Sequence, residues 1–156
     1  MSFRDRAVVC LATGFYIGSI PVAPGTFGTL PGLLLCFFLD RNSLTASILL
    51  VFMLIGLSIW IAGEAEKILA KKDPGCIVID EIAGMAVTLV GIPFTIQTAV
   101  AGFLLFRFFD ILKPPPICTV DRKMHGGAGI VLDDVIAGLF ANVVLRVGLW
   151  FVGHFG

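Results

Sequence analysis

The chain reads as all-α, a compact helical integral membrane bundle with short and re-entrant helices, and three observations carry that reading. Apolar residues make up 58% of the sequence and charged residues 14%, against roughly 45–50% and about 25% in soluble domains. The stretch from Leu44 to Ala62 contains no charge and comes close to the roughly 20 residues that cross a hydrocarbon core. No stretch shows the strict apolar–polar alternation of a half-buried strand.

With 156 residues, one domain covering 1–156 is expected. Arg4 and Arg6 precede an apolar stretch from Ala7 to Ile20, a pattern that resembles a signal peptide; we read it as retained, because the residues that follow look functional. Leu30–Leu39 is a short apolar run, and Leu44–Ala62 is the transmembrane helix. Ile82–Ile92 and Thr95–Phe109 are too short to span and form a hairpin about the turn at Gly91-Ile92-Pro93. Val135–Val152 is long enough to cross, although Arg146 interrupts it. Asp40-Arg41-Asn42, Glu64–Gly75 and Lys113–Gly129 are breaks. Placing Lys67, Lys71 and Lys72 on the cytoplasmic side, as the positive-inside rule directs, gathers Pro24–Thr29, Asp80-Glu81, Arg107–Lys113 and Asp133-Asp134 on that same face.

A formal net charge of zero, with no basic run, excludes a nucleic-acid footprint. Cys10, Cys36, Cys76 and Cys118 show no C-x-x-C spacing, so they are read as small buried hydrophobes and not as a zinc site or disulfide framework.

Five acids stand where apolar sequence flanks them: Asp80, Glu81, Asp110, Asp133 and Asp134. A carboxylate at the bilayer centre costs roughly 2.5–3.5 kcal/mol on insertion scales, so these must lie near the interface or converge. Converging carboxylates repel unless a cation neutralises them. Oxygen ligands without a cysteine or histidine cluster suit magnesium, which makes all five candidate metal ligands; internal salt bridges between helices are the alternative. Ile77-Val78-Ile79-Asp80-Glu81 and Ile130-Val131-Leu132-Asp133-Asp134 repeat one pattern, each followed by Ile-Ala-Gly. Gly84 lies four residues after Asp80 and Gly138 four after Asp134, so each acid shares a helix face with a small residue that lets another helix approach.

Arg107, Asp110 and Lys113 are spaced by three and form one helical stripe, ended by Pro114-Pro115-Pro116. The two basic residues are candidate phosphate clamps; a helix-terminal salt bridge is the alternative. Pro24-Gly25-Thr26-Phe27-Gly28-Thr29 is either a glycine-rich turn whose amides and the hydroxyls of Thr26 and Thr29 hold phosphate oxygens, or a helix entry with Thr29 capping a helix from Leu30 or Pro31. His125 is either a proton donor to a leaving group or a surface histidine.

Taken together the motifs resemble the phosphatidylglycerophosphatase A family: Pro24-Gly25-Thr26 with Gly28-Thr29, Asp80-Glu81 with Gly84-Met85, Arg107 with Asp110 and Lys113-Pro114, Asp121-Arg122, His125-Gly126-Gly127, and Asp133-Asp134 with Ala137-Gly138. The resemblance implies magnesium-dependent hydrolysis of the terminal phosphate of the phospholipid phosphatidylglycerophosphate, giving phosphatidylglycerol, by a multi-pass enzyme of the bacterial inner membrane with its site facing the cytoplasm. Asp80, Glu81, Asp110, Lys113, Asp133 and Asp134 then form the expected catalytic set, and Thr26, Thr29, Arg107, Lys113, Arg122 and His125 the phosphate-binding set. Another headgroup phosphatase or phosphotransferase, or a small cation channel or carrier using the acids as an ion path, are the competing readings.

Overall fold

Burial of one short helix among four of the other six organises the molecule. The computed structural model describes residues 1–155. Among these the chain forms seven α-helices and one 3-10 turn, with no strand: α1 (Phe3–Ala12), α2 (Pro24–Leu39), α3 (Leu44–Leu69), α4 (Ile79–Leu89), α5 (Ile96–Leu112), α6 (Ile117–Lys123) and α7 (Gly126–Phe155). The central helix is α4, which packs against α2, α3, α5 and α7.

Among the described residues α3 and α7 are long and apolar enough to cross a bilayer, and their most apolar windows are only 22% and 28% buried within the protein. Phe52, Met53, Leu57 and Trp60 of α3 and Val147, Trp150 and Phe151 of α7 face outward, which suits lipid and not water. The N-terminal stretch belongs to the bundle, since Val8 and Ala12 of α1 join Ile61, Ala62 and Ala65 of α3 in one buried cluster. Ser2 and Asp5 close a capping box at its start.

Three expectations change. The segment Pro24–Thr29 is not a loop: it is the opening of α2, with Pro24 in the first turn after Ala23 in the left-handed region. Proline's fixed φ suits that first position, so Thr29 does not cap a helix at Leu30 or Pro31. The break at Glu64 is absent too, because α3 continues to Leu69. Glu64 pairs with Arg4 at 3.1 Å and with Lys67 at 2.8 Å, so its charge is satisfied on the helix surface. Inside the Lys113–Gly129 break the structure forms α6, seven residues following Pro116.

The acid–glycine repeat does what its spacing predicts. A Cβ on Gly84 would lie 2.8 Å from the Asp134 carbonyl oxygen, and one on Gly138 would strike the Gly84 carbonyl. Thus α4 and α7 cross in backbone contact immediately below the acids. Further down, Asn142 donates to the carbonyls of Val87, Thr88 and Val90, and Arg146 to those of Val90 and Gly91. The arginine that interrupts the last apolar run therefore satisfies carbonyls left over where α4 ends.

Candidate active site

Two helices bring the central acids together. Asp80 and Glu81 occupy the first turn of α4, where the helix dipole favours negative charge, and Asp134 faces them from α7. One ligand oxygen from each of Asp80, Glu81 and Asp134 can be chosen so that all lie within 4.8 Å of one another. Asp80 Oδ1 and Glu81 Oε2 are buried and accept no hydrogen bond from the protein. Burial pushes the Asp80 carboxyl well above the usual carboxylate range, and the neighbouring Glu81 charge adds to the rise; burial also lifts Glu81.

The remaining two acids are held by cations. Asp110 Oδ2 lies 2.6 Å from Arg107 Nη1, which stands 3.9 Å from Glu81 Oε1. Asp133 Oδ2 lies 2.6 Å from Lys113 Nζ, whose other partner is Asp121 at 2.9 Å. Lys113 ends α5 in the left-handed region with φ 44°, which turns its ammonium back toward α7. Burial works against that ammonium, but the bonds to Asp133 and Asp121 more than offset it and hold its pKa above the ordinary lysine value. Three of the five acids thus converge closely enough that they could hold an ion, while Asp110 and Asp133 form ion pairs beside them.

These groups line one cavity of about 360 Å³. Its wall holds eight carboxylates, from Glu66, Asp73, Asp80, Glu81, Asp110, Asp121, Asp133 and Asp134, against the three permanent cations Lys72, Arg107 and Lys113. Gly25 completes the wall beside Arg107, where a Cβ would meet the guanidinium at 3.0 Å and collide with Glu81 Oε1. His125 stands exposed on the rim.

Three of the expected phosphate-binding residues are not on this wall. Thr29 is fully buried and its hydroxyl donates to the Gly25 carbonyl at 2.7 Å, so it is spent on its own helix. Thr26, half-buried in the first turn of α2, and Arg122, exposed on α6, do not line the cavity. Sequence reasoning gave no site role to Glu66, Lys72 or Asp121. They lie in or beside stretches read as solvated breaks, and only the folding of 70–78 and of α6 over the acids brings them to the cavity.

A sequence profile for phosphatidylglycerophosphatase A matches residues 10–149. The chain belongs to the phosphatidylglycerophosphatase A family. As a member of it, the chain is a phosphoric monoester hydrolase. It is 36% identical to phosphatidylglycerophosphatase A of Escherichia coli over 92% of its own length and 82% of that protein's. It is 41% identical to the Haemophilus influenzae protein of the same name, over 86% and 84%. A Bacteroides thetaiotaomicron protein described as a candidate phosphatidylinositol-3-phosphatase is 35% identical over 93% of this chain and 95% of its own. No solved structure matches. Within the matched region, Asp80, Glu81, Arg107, Asp110, Lys113, Asp121, His125, Asp133 and Asp134 line the one acid-rich cavity described above.

Proposed function

We propose that the chain is a magnesium-dependent phosphatase that removes the terminal phosphate of phosphatidylglycerophosphate, leaving phosphatidylglycerol, at the cytoplasmic face of a bacterial inner membrane. The observation that carries this reading is the cluster of Asp80, Glu81 and Asp134, in which Asp80 Oδ1 and Glu81 Oε2 are buried with no protein donor. Such a group stays charged only opposite a cation, and an all-oxygen donor set suits magnesium. Bound there, the metal would polarise the phosphoryl group and assist an attacking water.

The chain's own cations do the rest. A phosphate monoester carries close to two negative charges near neutral pH, and an acid-rich wall repels it. Arg107 and Lys113 neutralise charge on the phosphoryl oxygens, where transition-state charge is spread. Asp110 fixes the guanidinium, and Asp133 with Asp121 fixes the ammonium, so neither pays orientational entropy at each turnover. His125, on the rim, delivers a proton to the departing glyceryl oxygen. Outward apolar faces on α3 and α7 keep the acyl chains in lipid while the headgroup enters the cavity.

An ion path predicts acids distributed through the depth of the bilayer; here they gather at one end of the bundle beside two cations, which favours an anionic substrate. The test is release of inorganic phosphate from phosphatidylglycerophosphate by purified protein in detergent, with magnesium, with chelator, and with Asp80→Asn. Activity that needs magnesium and falls at least 10³-fold in the variant is expected. No release by folded protein in any condition would overturn the reading, and faster release from phosphatidylinositol 3-phosphate would reassign the headgroup.

A further inference from the structure

We infer that Lys72 binds the internal phosphodiester of the substrate, a role that rests on the reading just given. Of the three permanent cations on the cavity wall, Arg107 and Lys113 are each within 4.0 Å of two carboxylates, whereas Lys72 forms no ion pair with any described residue. Lys72, which is exposed while lining the cavity, is the one permanent cation on that wall that pairs with no described carboxylate.

Its place separates it from the phosphoryl end. Lys72 lies between α3 and α4, and the next residue ties that segment down: the Asp73 amide donates to Glu66 Oε1 at 3.2 Å. A Cβ on Gly126, where α7 begins beside His125, would stand 3.9 Å from Glu66 Oε2. Glu66, Lys72 and the start of α7 thus form one end of the cavity, while Gly25, Glu81 and Arg107 pack together at another part of the wall. A cavity of about 360 Å³ falls within the range that holds a whole small ligand. The substrate carries two phosphates a glyceryl unit apart, a monoester to be cleaved and a singly charged diester that joins the headgroup to the lipid. With the monoester at Arg107 and Lys113, the diester needs one positive point charge further along the wall, and an ammonium supplies that. A lipid phosphate lacking the diester would leave Lys72 unused.

The experiment measures phosphate release from short-chain phosphatidylglycerophosphate by wild type, Lys72→Gln, Lys72→Arg and Lys71→Gln, the last an exposed neighbour outside the cavity. Each is also titrated with two competitors, short-chain phosphatidylglycerol, which carries only the diester, and glycerol 3-phosphate, which carries only the monoester. Lys72→Gln is expected to raise KM about tenfold with kcat within twofold, to weaken inhibition by phosphatidylglycerol about tenfold, and to leave inhibition by glycerol 3-phosphate unchanged. Lys72→Arg restores KM, and Lys71→Gln matches wild type. Equal weakening of both competitors, no change in either, or the same effect from Lys71→Gln overturns the assignment and leaves the phosphatase reading standing. Wild type that releases no phosphate overturns that reading and the assignment with it.

Discussion

Replacing Gly84 by alanine tests whether the backbone contact of α4 with α7 sets the geometry of the acids. The added methyl would stand 2.8 Å from the Asp134 carbonyl oxygen and 2.5 Å from a ring carbon of Phe106, whereas ordinary contact begins at 3.4 Å. The phenylalanine is fully buried and a backbone carbonyl cannot rotate away, so the two helices must part by about 0.6 Å or more. Overpacking of this kind costs about 1–3 kcal/mol, which lowers the melting temperature without unfolding the bundle. The effect on chemistry is larger. Magnesium demands near-octahedral oxygens at about 2.0–2.1 Å, and a misplacement of about 1 Å can cost about 10²-fold in rate. We expect kcat in Gly84→Ala to fall on the order of 10- to 100-fold and half-saturating magnesium to rise several-fold, with KM for the lipid little changed. Phosphate release as a function of magnesium, beside a thermal melt in the same detergent, reads all three. A folded variant with wild-type magnesium dependence would refute the claim that this crossing positions the triad.

Three further outcomes follow from the same geometry. Lys113→Gln strands the nearly buried Asp133 carboxylate and should destabilise the protein by about 3 kcal/mol; Asp133→Asn added to it should recover most of that stability in the melt without recovering activity. Asn142→Ala removes the side-chain donor to the carbonyls of Val87 and Thr88 near the end of α4, costing about 2 kcal/mol, and should lower the melting temperature while kcat measured well below it stays within about threefold. For pH, Asp80 and Glu81 have folded pKa values above their unfolded ones, so without metal the native state binds more protons and loses stability as pH rises above the ordinary carboxylate value of about 4. In chelator the protein should melt higher at pH 5 than at pH 8, and magnesium should raise the pH 8 melt more than the pH 5 melt; a chelated protein that melts higher at pH 8 would contradict this.

What the sequence discloses and what it conceals divide on physical lines. Leu44–Ala62 is legible because lipid forbids charge, and the five acids are legible because they violate that rule. Gly84 and Gly138 are legible because spacing by four fixes a helix face whatever the tertiary structure. The start of α2 at Pro24 is not, since glycine and threonine favour turns locally and only packing of Gly28 and Gly32 against Val78 and Met85 of the α4 region settles them as helix. Nor is the partition of the acids, because Asp133 and Asp134 are adjacent and only the rotation of α7 decides that one meets Lys113 and the other meets Asp80.

That partition bears on how such a cluster folds before any ion arrives. Charge on Asp80, Glu81 and Asp134 would drive apart oxygens that lie within 4.8 Å of one another, and Arg107, 3.9 Å from Glu81 Oε1, offsets only part of it. The restraint comes from below. Gly84, one turn beneath Asp80, rests on the backbone of Asp134, and at the far end of α4, about 11–15 Å from Asp80 along a helix rising 1.5 Å per residue, Asn142 and Arg146 fasten its last carbonyls to α7. Two attachments on one rigid rod fix its axial register, so separating the acids at the top requires breaking backbone contact or buried hydrogen bonds lower down. A cluster built this way keeps these oxygens gathered without an ion, so the cation proposed for it would bind without a conformational search.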